Sequence, residues 1–220
     1  MEQTWDTVDR YLTDAVVRPE PGYLAVQRAA DLAGLPPIQV SAPQGKLLHL
    51  LARMVGARRV LEVGTLAGYS TIWLARALPD DGRVVSLEID PRHADVARAN
   101  CAAMNVGQLV DIRVGAAVDS LSRLAFDNVP AFDLVFIDAD KASIPEYVEW
   151  SLQLSHPGTV IVVDNVIRGG AVTDADSEDP SVVGVRRFNE MLAQDERLDA
   201  TTIQTVGSKG YDGLTLALVR

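Results

Sequence analysis

FDLVFIDADK, residues 132–141, and VIVVDN, residues 160–165, decide the reading of this chain. Each is a run of apolar and β-branched residues that ends abruptly in acid. If the two are neighbouring parallel strands, Asp138 and Asp164 project from adjacent carboxyl ends, about 5 Å apart in backbone spacing. Two carboxylates held that close repel unless a cation sits between them. Asn165 adds a neutral amide oxygen beside them. An all-oxygen set of two acids and one amide suits a hard divalent ion such as magnesium or calcium. The expectation is a metal at the mouth of an α/β sheet.

Working outward, strand and helix patterns alternate from Arg58 onward. RRVLEVG reads as a strand and YSTIWLARALP as its helix; RVVSLEI is a second strand, with a helix from about His93 to Met104. A strand around VDIRVG, a helix around AVDSLSRLAF, the strand FDLVFID, a helix around PEYVEWSLQL and the strand GTVIVVD follow. This alternation implies parallel strands with right-handed crossovers, hence a Rossmann-like doubly wound sheet. An irregular loop over residues 166–180 leads to a helix near VVGVRRFNEMLAQ. The end differs: DATTIQTV and GLTLALVR are strand-like and joined by GSKGYDG with no helix between, which favours an antiparallel hairpin at the sheet's end. That makes seven strands, mostly parallel. Residues 1–56 read as helices, in VDRYLTDAVV, GYLAVQRAADLAG and PPIQVSAPQGKLLHLLARMVG. We expect one domain over 1–220, a helical cap (1–56) on a core (57–220).

Bulk properties exclude several classes. With 220 residues, 48% hydrophobic, the chain can bury one large core. A net charge of −10 argues against nucleic-acid phosphates or an anionic membrane as main partner. Cys101 is the one cysteine, so there is no internal disulfide framework, and no Cys/His set matches a zinc site. No apolar run reaches a membrane span, and the N-terminus lacks a signal pattern, so a cytoplasmic protein is expected.

The first strand runs into VGTLAGYS, residues 63–70, where Gly64 and Gly68 sit at the strand-to-helix turn. Glycine lets backbone approach a ligand closely, and the helix start offers free amide donors. The dinucleotide fingerprint needs a glycine where Glu62 stands. A carboxylate there is a poor host for pyrophosphate and a plausible one for a ligand bearing positive charge. The second strand ends in Glu88, twenty residues after Gly68, where such folds place an acid on ribose hydroxyls.

VLEVGTLAGYSTIWLARAL, FDLVFIDADK, VIVVDNVIRGG and YDGLTLALV resemble the class I S-adenosylmethionine-dependent O-methyltransferases, specifically the cation-dependent catechol and caffeoyl-coenzyme A group. The resemblance runs from SAPQGKLL at residue 41 to Arg220, with a looser match before it. It implies that Glu62, Gly64, Thr65 and Ser70 line the methionine part of S-adenosyl-L-methionine and that Glu88 grips its ribose. Val40 and Ala117 fall at contacts to the amino-acid and adenine ends, and Asp140 at a further cofactor contact. Asp138, Asp164 and Asn165 match the ligands of Mg2+, with Mn2+ or Ca2+ as alternatives. Lys141 matches a basic residue that takes the substrate proton, which makes Lys141 and Asp138 the expected catalytic pair. One departure stands out: where the animal catechol enzymes place a glutamate near the substrate, this chain has Val206 or a close neighbour.

The expected activity is metal-dependent methyl transfer to a hydroxyl of a catechol-like small phenol. A metal would lower the hydroxyl pKa and fix the attacking oxygen. A nicotinamide-dependent oxidoreductase and a non-catalytic ligand-binding protein on the same fold are the rivals; Glu62 weighs against the first. The resemblance also implies a homodimer, with the N-terminal helices covering the acceptor pocket. His49 and His93 read as surface or packing residues, His156 as structural at the opposite end of the sheet, and Trp73 as core. Residues 166–180 form a candidate substrate gate, with Arg168 and Tyr211 as candidates for shaping the pocket.

Overall fold

In the computed structural model, which describes residues 2–220, the apolar runs become the centre of one seven-stranded sheet. Its strands are β1 (Arg59–Val63), β2 (Arg83–Glu88), β3 (Val110–Val114), β4 (Phe132–Ile137), β5 (Ser155–Asp164), β6 (Leu198–Gly207) and β7 (Gly210–Val219). Their order is β3-β2-β1-β4-β5-β7-β6, parallel through β5 and antiparallel at β7 and β6. The helices are α1 (Glu2–Leu12), α2 (Pro21–Leu32), α3 (Ala42–Met54), α4 (Tyr69–Ala75), α5 (Pro91–Ala103), α6 (Ala117–Phe126), α7 (Ile144–Gln153) and α8 (Pro180–Gln194).

The uninterrupted apolar character of β1 and β4 follows from burial on both faces. Leu61, Val63, Val135 and Ile137 point to one side, against Leu121 of α6, Tyr147 of α7 and Phe188 of α8. Val60, Leu134 and Phe136 point to the other, against Tyr23, Leu48, Ile72 and Cys101 of α2 to α5. Trp73 belongs to this second layer, stacked on Tyr23 at 4.2 Å between ring centroids. The strand order reverses between β1 and β4, so the crevice beyond their carboxyl ends is where such a sheet takes a ligand.

Several boundaries differ from the sequence reading. The helix expected over 69–79 ends at Ala75, because Ala77 and Leu78 donate to carbonyls only three residues back and the chain turns toward β2. The helix expected over 8–17 is α1 followed by a π-helical turn, Thr13–Val17, closed by Arg18 at φ 46°. The helix expected from His93 starts at Pro91, capped by Asp90, whose carboxylate accepts from Arg92 N–H at 2.8 Å. The hairpin strands run far into GSKGYDG: Gly207 pairs with Gly210, leaving Ser208 and Lys209 as a two-residue tip. The irregular loop contains a short 3-10 stretch, Arg168–Thr173.

Gly64 carries the close crossing at the switch point. Its φ is 101°, and a Cβ there would lie 2.2 Å from the Asp138 carbonyl oxygen. Asp138 N–H in turn donates to Val63 O at 2.8 Å, so neither strand end can move aside freely. We expect Gly64→Ala to destabilise the protein by at least about 2 kcal/mol through combined backbone strain and a backbone clash; urea denaturation of both proteins measures it.

Candidate active site

The glycine turn between β1 and α4 is held by a carboxylate from the neighbouring strand. Glu88, at the end of β2, accepts from Thr65 N–H at 3.2 Å and Leu66 N–H at 2.8 Å through one oxygen, and from Asp90 N–H at 2.9 Å through the other. Asn100 of α5 adds a 2.9 Å bond to Ala67 O. The turn is therefore rigid before any ligand arrives, which spares a ligand the entropy of ordering it.

Above this turn opens a cavity of about 630 Å3. Gly64, Thr65, Ser70, Glu88, Ala117, Asp138, Asp140 and Lys141 line it, together with Val40. Glu62 does not. It is fully buried beneath the turn, on the α4 face of β1, accepting bonds from Ser70 Oγ and Ser86 Oγ at 2.6 Å each and from Thr71 Oγ1. Ser70, which donates to Glu62, lines the cavity in its place, because a side chain on that strand face points into the helix layer and not out of the sheet's end. Burial pushes the Glu62 carboxyl up to about 7, the three hydroxyl donors notwithstanding, and the Asp138 charge adds to the rise.

A second cavity, of about 490 Å3, adjoins the first and shares with it Ile38, Gln39, Val40, Asp138, Asn165 and Arg168. Asp164 lines this second cavity, and Asn165 lines both. The β4–β5 register pairs Ile137 with Val163, so Asp138 and Asp164 follow at the same level of adjacent strands. Asp164 is only 4% exposed, and its carboxylate accepts just the Asn165 N–H, at 2.8 Å. Burial and then the Asp138 charge push its carboxyl well above the usual carboxylate range. Lys141 Nζ lies 2.8 Å from Asp138 Oδ1 and is buried; it lines the first cavity but not the second. Among the described residues no three His, Cys, Asp or Glu side chains gather as a metal cluster; the strand-end set is two acids and an amide.

Asp140 is held differently. Burial raises its pKa, but donation from Tyr147 OH and from Ser143 outweighs this and leaves it below the usual carboxylate value. Tyr147, in the first turn of α7, was not singled out from the sequence; its bond to Asp140 joins the helix to the loop that precedes it. His93, read as surface or packing, lines the first cavity with Nδ1 3.6 Å from Glu88 Oε1. Ile89, also missed, lines the same wall although 74% exposed; an apolar residue directly after a strand-end acid was the available signal. His156 sits at the opposite end of the sheet, Nε2 3.0 Å from Asp133 Oδ1. Arg168 borders both cavities, whereas Tyr211 lines neither and donates to Gln204.

The floor of the second cavity is β7 and its walls are distant in sequence. Ser41 and Gln44 form a reciprocal cap at the start of α3, with bonds of 3.3 and 3.0 Å, which fixes the 37–41 segment over both cavities. Val206 lines this cavity, so the departure noted in the sequence falls on its wall.

A crevice at the switch point of a sheet that ends in an antiparallel hairpin, with an acid-held glycine turn and no first dinucleotide glycine, defines an S-adenosylmethionine-dependent O-methyltransferase. The O-methyltransferase family model matches residues 21–220, and this chain belongs to that family. It is 49% identical over 218 residues to a catechol O-methyltransferase of Niastella koreensis, covering 99% of each chain. It is 52% identical over 213 residues to one of Mycobacterium tuberculosis, covering 97% of this chain and 95% of that one. An O-methyltransferase of Bacillus cereus solved with S-adenosylhomocysteine superposes at a TM-score of 0.98, with 50% identity and full coverage of both chains. Among the described residues no helix is long and apolar enough to cross a membrane.

The buried Glu62 has a pH signature. Its folded pKa lies above that of an exposed glutamate, so the folded state binds more protons between the two values. Its contribution is fully present below the unfolded pKa and is lost as pH rises through about 7. With no ligand added, the stability advantage of Glu62→Gln over the parent should therefore grow from pH 5 to pH 7.5, read as the difference in urea midpoints.

Proposed function

We propose that this enzyme transfers the methyl group of S-adenosylmethionine to one hydroxyl of a catechol-like phenol with the help of a divalent cation. The observation that carries this reading is Asp164: a carboxylate almost wholly buried, beside a second carboxylate, with no cationic side chain paired to it among the described residues. Such a group is unfavourable in the free protein, and a cation between Asp138 and Asp164 would offset the cost. Asn165, at φ 58°, follows directly and lines both cavities, so its amide oxygen completes a hard, all-oxygen donor set. The residues present therefore fit magnesium, with manganese or calcium as substitutes. When bound, the ion supplies Lewis acidity that lowers the pKa of a vicinal hydroxyl and orients it.

The protein's own groups do the rest. Gly64, Thr65 and Ser70 take the methionine end of the methyl donor, with Glu62 acting through the Ser70 hydroxyl. Glu88 faces the ribose, Ala117 the adenine, and Val40 the amino-acid end; Asp140, fixed by Tyr147, borders the same cavity. The partition shared by the two cavities sets donor and acceptor in line for displacement. As the carbon–sulfur bond breaks, its electron pair returns to sulfur and the acceptor oxygen forms the new bond to carbon. Lys141 Nζ, an ammonium while it donates to Asp138 Oδ1 at 2.8 Å, would act as the acceptor of the hydroxyl proton only after giving up its own proton to solvent, as it would when a cation takes over Asp138. The homodimer implied by the resemblance would use the apolar side chains that α1 and its following turn expose, Val8, Tyr11 and Val16.

Two results are expected. EDTA should stop methylation of catechol and added magnesium restore it, while Asp164→Ala should lose turnover in magnesium but keep S-adenosylmethionine affinity by calorimetry. Full turnover in EDTA, or in that variant, would overturn the metal-assisted reading. Glu88→Ala should weaken S-adenosylmethionine binding by about 1–3 kcal/mol, the scale of bonds to a charged group and of the turn it holds; an unaltered Kd would remove the ribose role.

A further inference from the structure

The acceptor cavity is charged at both ends, and only one end is accounted for by the chemistry above. Asp138 and Asp164 mark the inner end. The outer end is closed by the β6–β7 hairpin tip, which is pinned in place: Ser208 N–H donates to Asp9 Oδ2 at 2.7 Å, and Gly207 lies so close to that carboxylate that a Cβ would meet it at 2.5 Å. Asp9, which also lines this cavity, holds the tip through Oδ2 and makes no ion pair with Lys209. The adjacent residue, Lys209, lines the cavity and donates from Nζ to Pro37 O at 2.9 Å, across the mouth.

Lys209 differs from the other cations around the two cavities. Lys141 has Asp138 at 2.8 Å, and Arg168 has Asp212 at 4.0 Å. Lys209 makes no ion pair among the described residues, in a chain with thirty acids to twenty bases. One of its three N–H donors is used, and the residue is exposed at the cavity mouth, so the other two are free to meet a ligand. Partial burial pulls its pKa below the usual lysine value, although the residue as a whole stays exposed.

The spacing limits what can bridge the two ends. Leu214 of β7 pairs with Asp164, and Lys209 precedes it by five residues, roughly 17 Å along the strand at the usual rise. The lysine stem folds back over the cavity toward Pro37 and takes up part of that length. An acceptor that reaches both ends therefore carries its hydroxyls at one end and a charged arm at the other, within an upper limit of roughly 17 Å.

We propose that Lys209 reads an anionic substituent, so that the acceptors of this enzyme are catechols bearing a carboxylate on the side of the ring away from the two hydroxyls. This rests on the catechol reading above. The methyl-transfer step is unchanged; Lys209 acts on acceptor binding and therefore on KM. Unsubstituted catechol fills the inner end only and gains nothing from it.

The test compares 3,4-dihydroxybenzoate, its neutral methyl ester and catechol, at saturating S-adenosylmethionine and magnesium, in the parent, Lys209→Met and Lys209→Arg. The acid-to-ester ratio of kcat/KM should fall about tenfold in Lys209→Met, through KM, and largely recover in Lys209→Arg, as expected for a charge-assisted bond. Comparing proteins cancels the intrinsic reactivity of each phenol. The same ratio in parent and Lys209→Met would overturn the role of Lys209 and leave the catechol reading standing. An equal loss of kcat on acid and ester would show a merely structural hairpin and overturn it too. No turnover of any of the three by the parent would overturn the catechol reading, and this inference with it.

Discussion

The register between β4 and β5 governs the site. Two parallel strands, paired so that Ile137 meets Val163, deliver Asp138 and Asp164 side by side at the point where the sheet stops. A slip of one residue would turn one of these acids into the helix layers, since side chains alternate between faces. The apolar residues of both strands oppose such a slip: each is buried on its own side, Val135 and Ile137 against α6 to α8, Leu134 and Phe136 against α2 to α5. Core packing is thus what holds two like charges together. The stability of the core supplies the free energy that the acid pair consumes.

Three buried carboxylates at this end of the sheet are accommodated in three ways. Glu62 is surrounded by hydroxyl donors and stays beneath the turn, out of the cavity. Glu88 spends both oxygens on backbone N–H groups and thereby sets the shape of the glycine turn. Asp164 has neither sufficient donors nor a cation, and its pKa rises accordingly. Donor-rich acids shape the cavity, and the donor-poor acid is the one open to an ion.

The second cavity is assembled differently from the first. Gly64, Glu88 and Asp138, which line the first cavity, sit on or just after strands, with positions set by the sheet. The second cavity is closed by the N-terminal segment and the final hairpin, joined by Asp9 to Ser208 and Lys209 to Pro37. These contacts are few and polar, at the surface. The first cavity thus takes its shape from the sheet, and the second from segments that meet only in the closed fold.

Local chemistry was enough to read the sheet class, the acid-terminated strands, the glycine turn and the closing hairpin, because each is written in neighbouring residues: apolar runs, a glycine pair, a helix-free joint. Helix ends at Ala75 and Pro91 were less legible, since they depend on where the chain must turn to meet the next strand. Whether Glu62 faces the ligand or the core was not legible at all; both are open to a strand residue until helices cover one face. His93 and Tyr147 entered the cavity wall for the same reason. The meeting of Asp9 with Ser208, 199 residues apart, lies furthest from sequence reasoning. Periodicity records which way a side chain faces within its own element, while contacts between distant elements exist only once the whole core has closed.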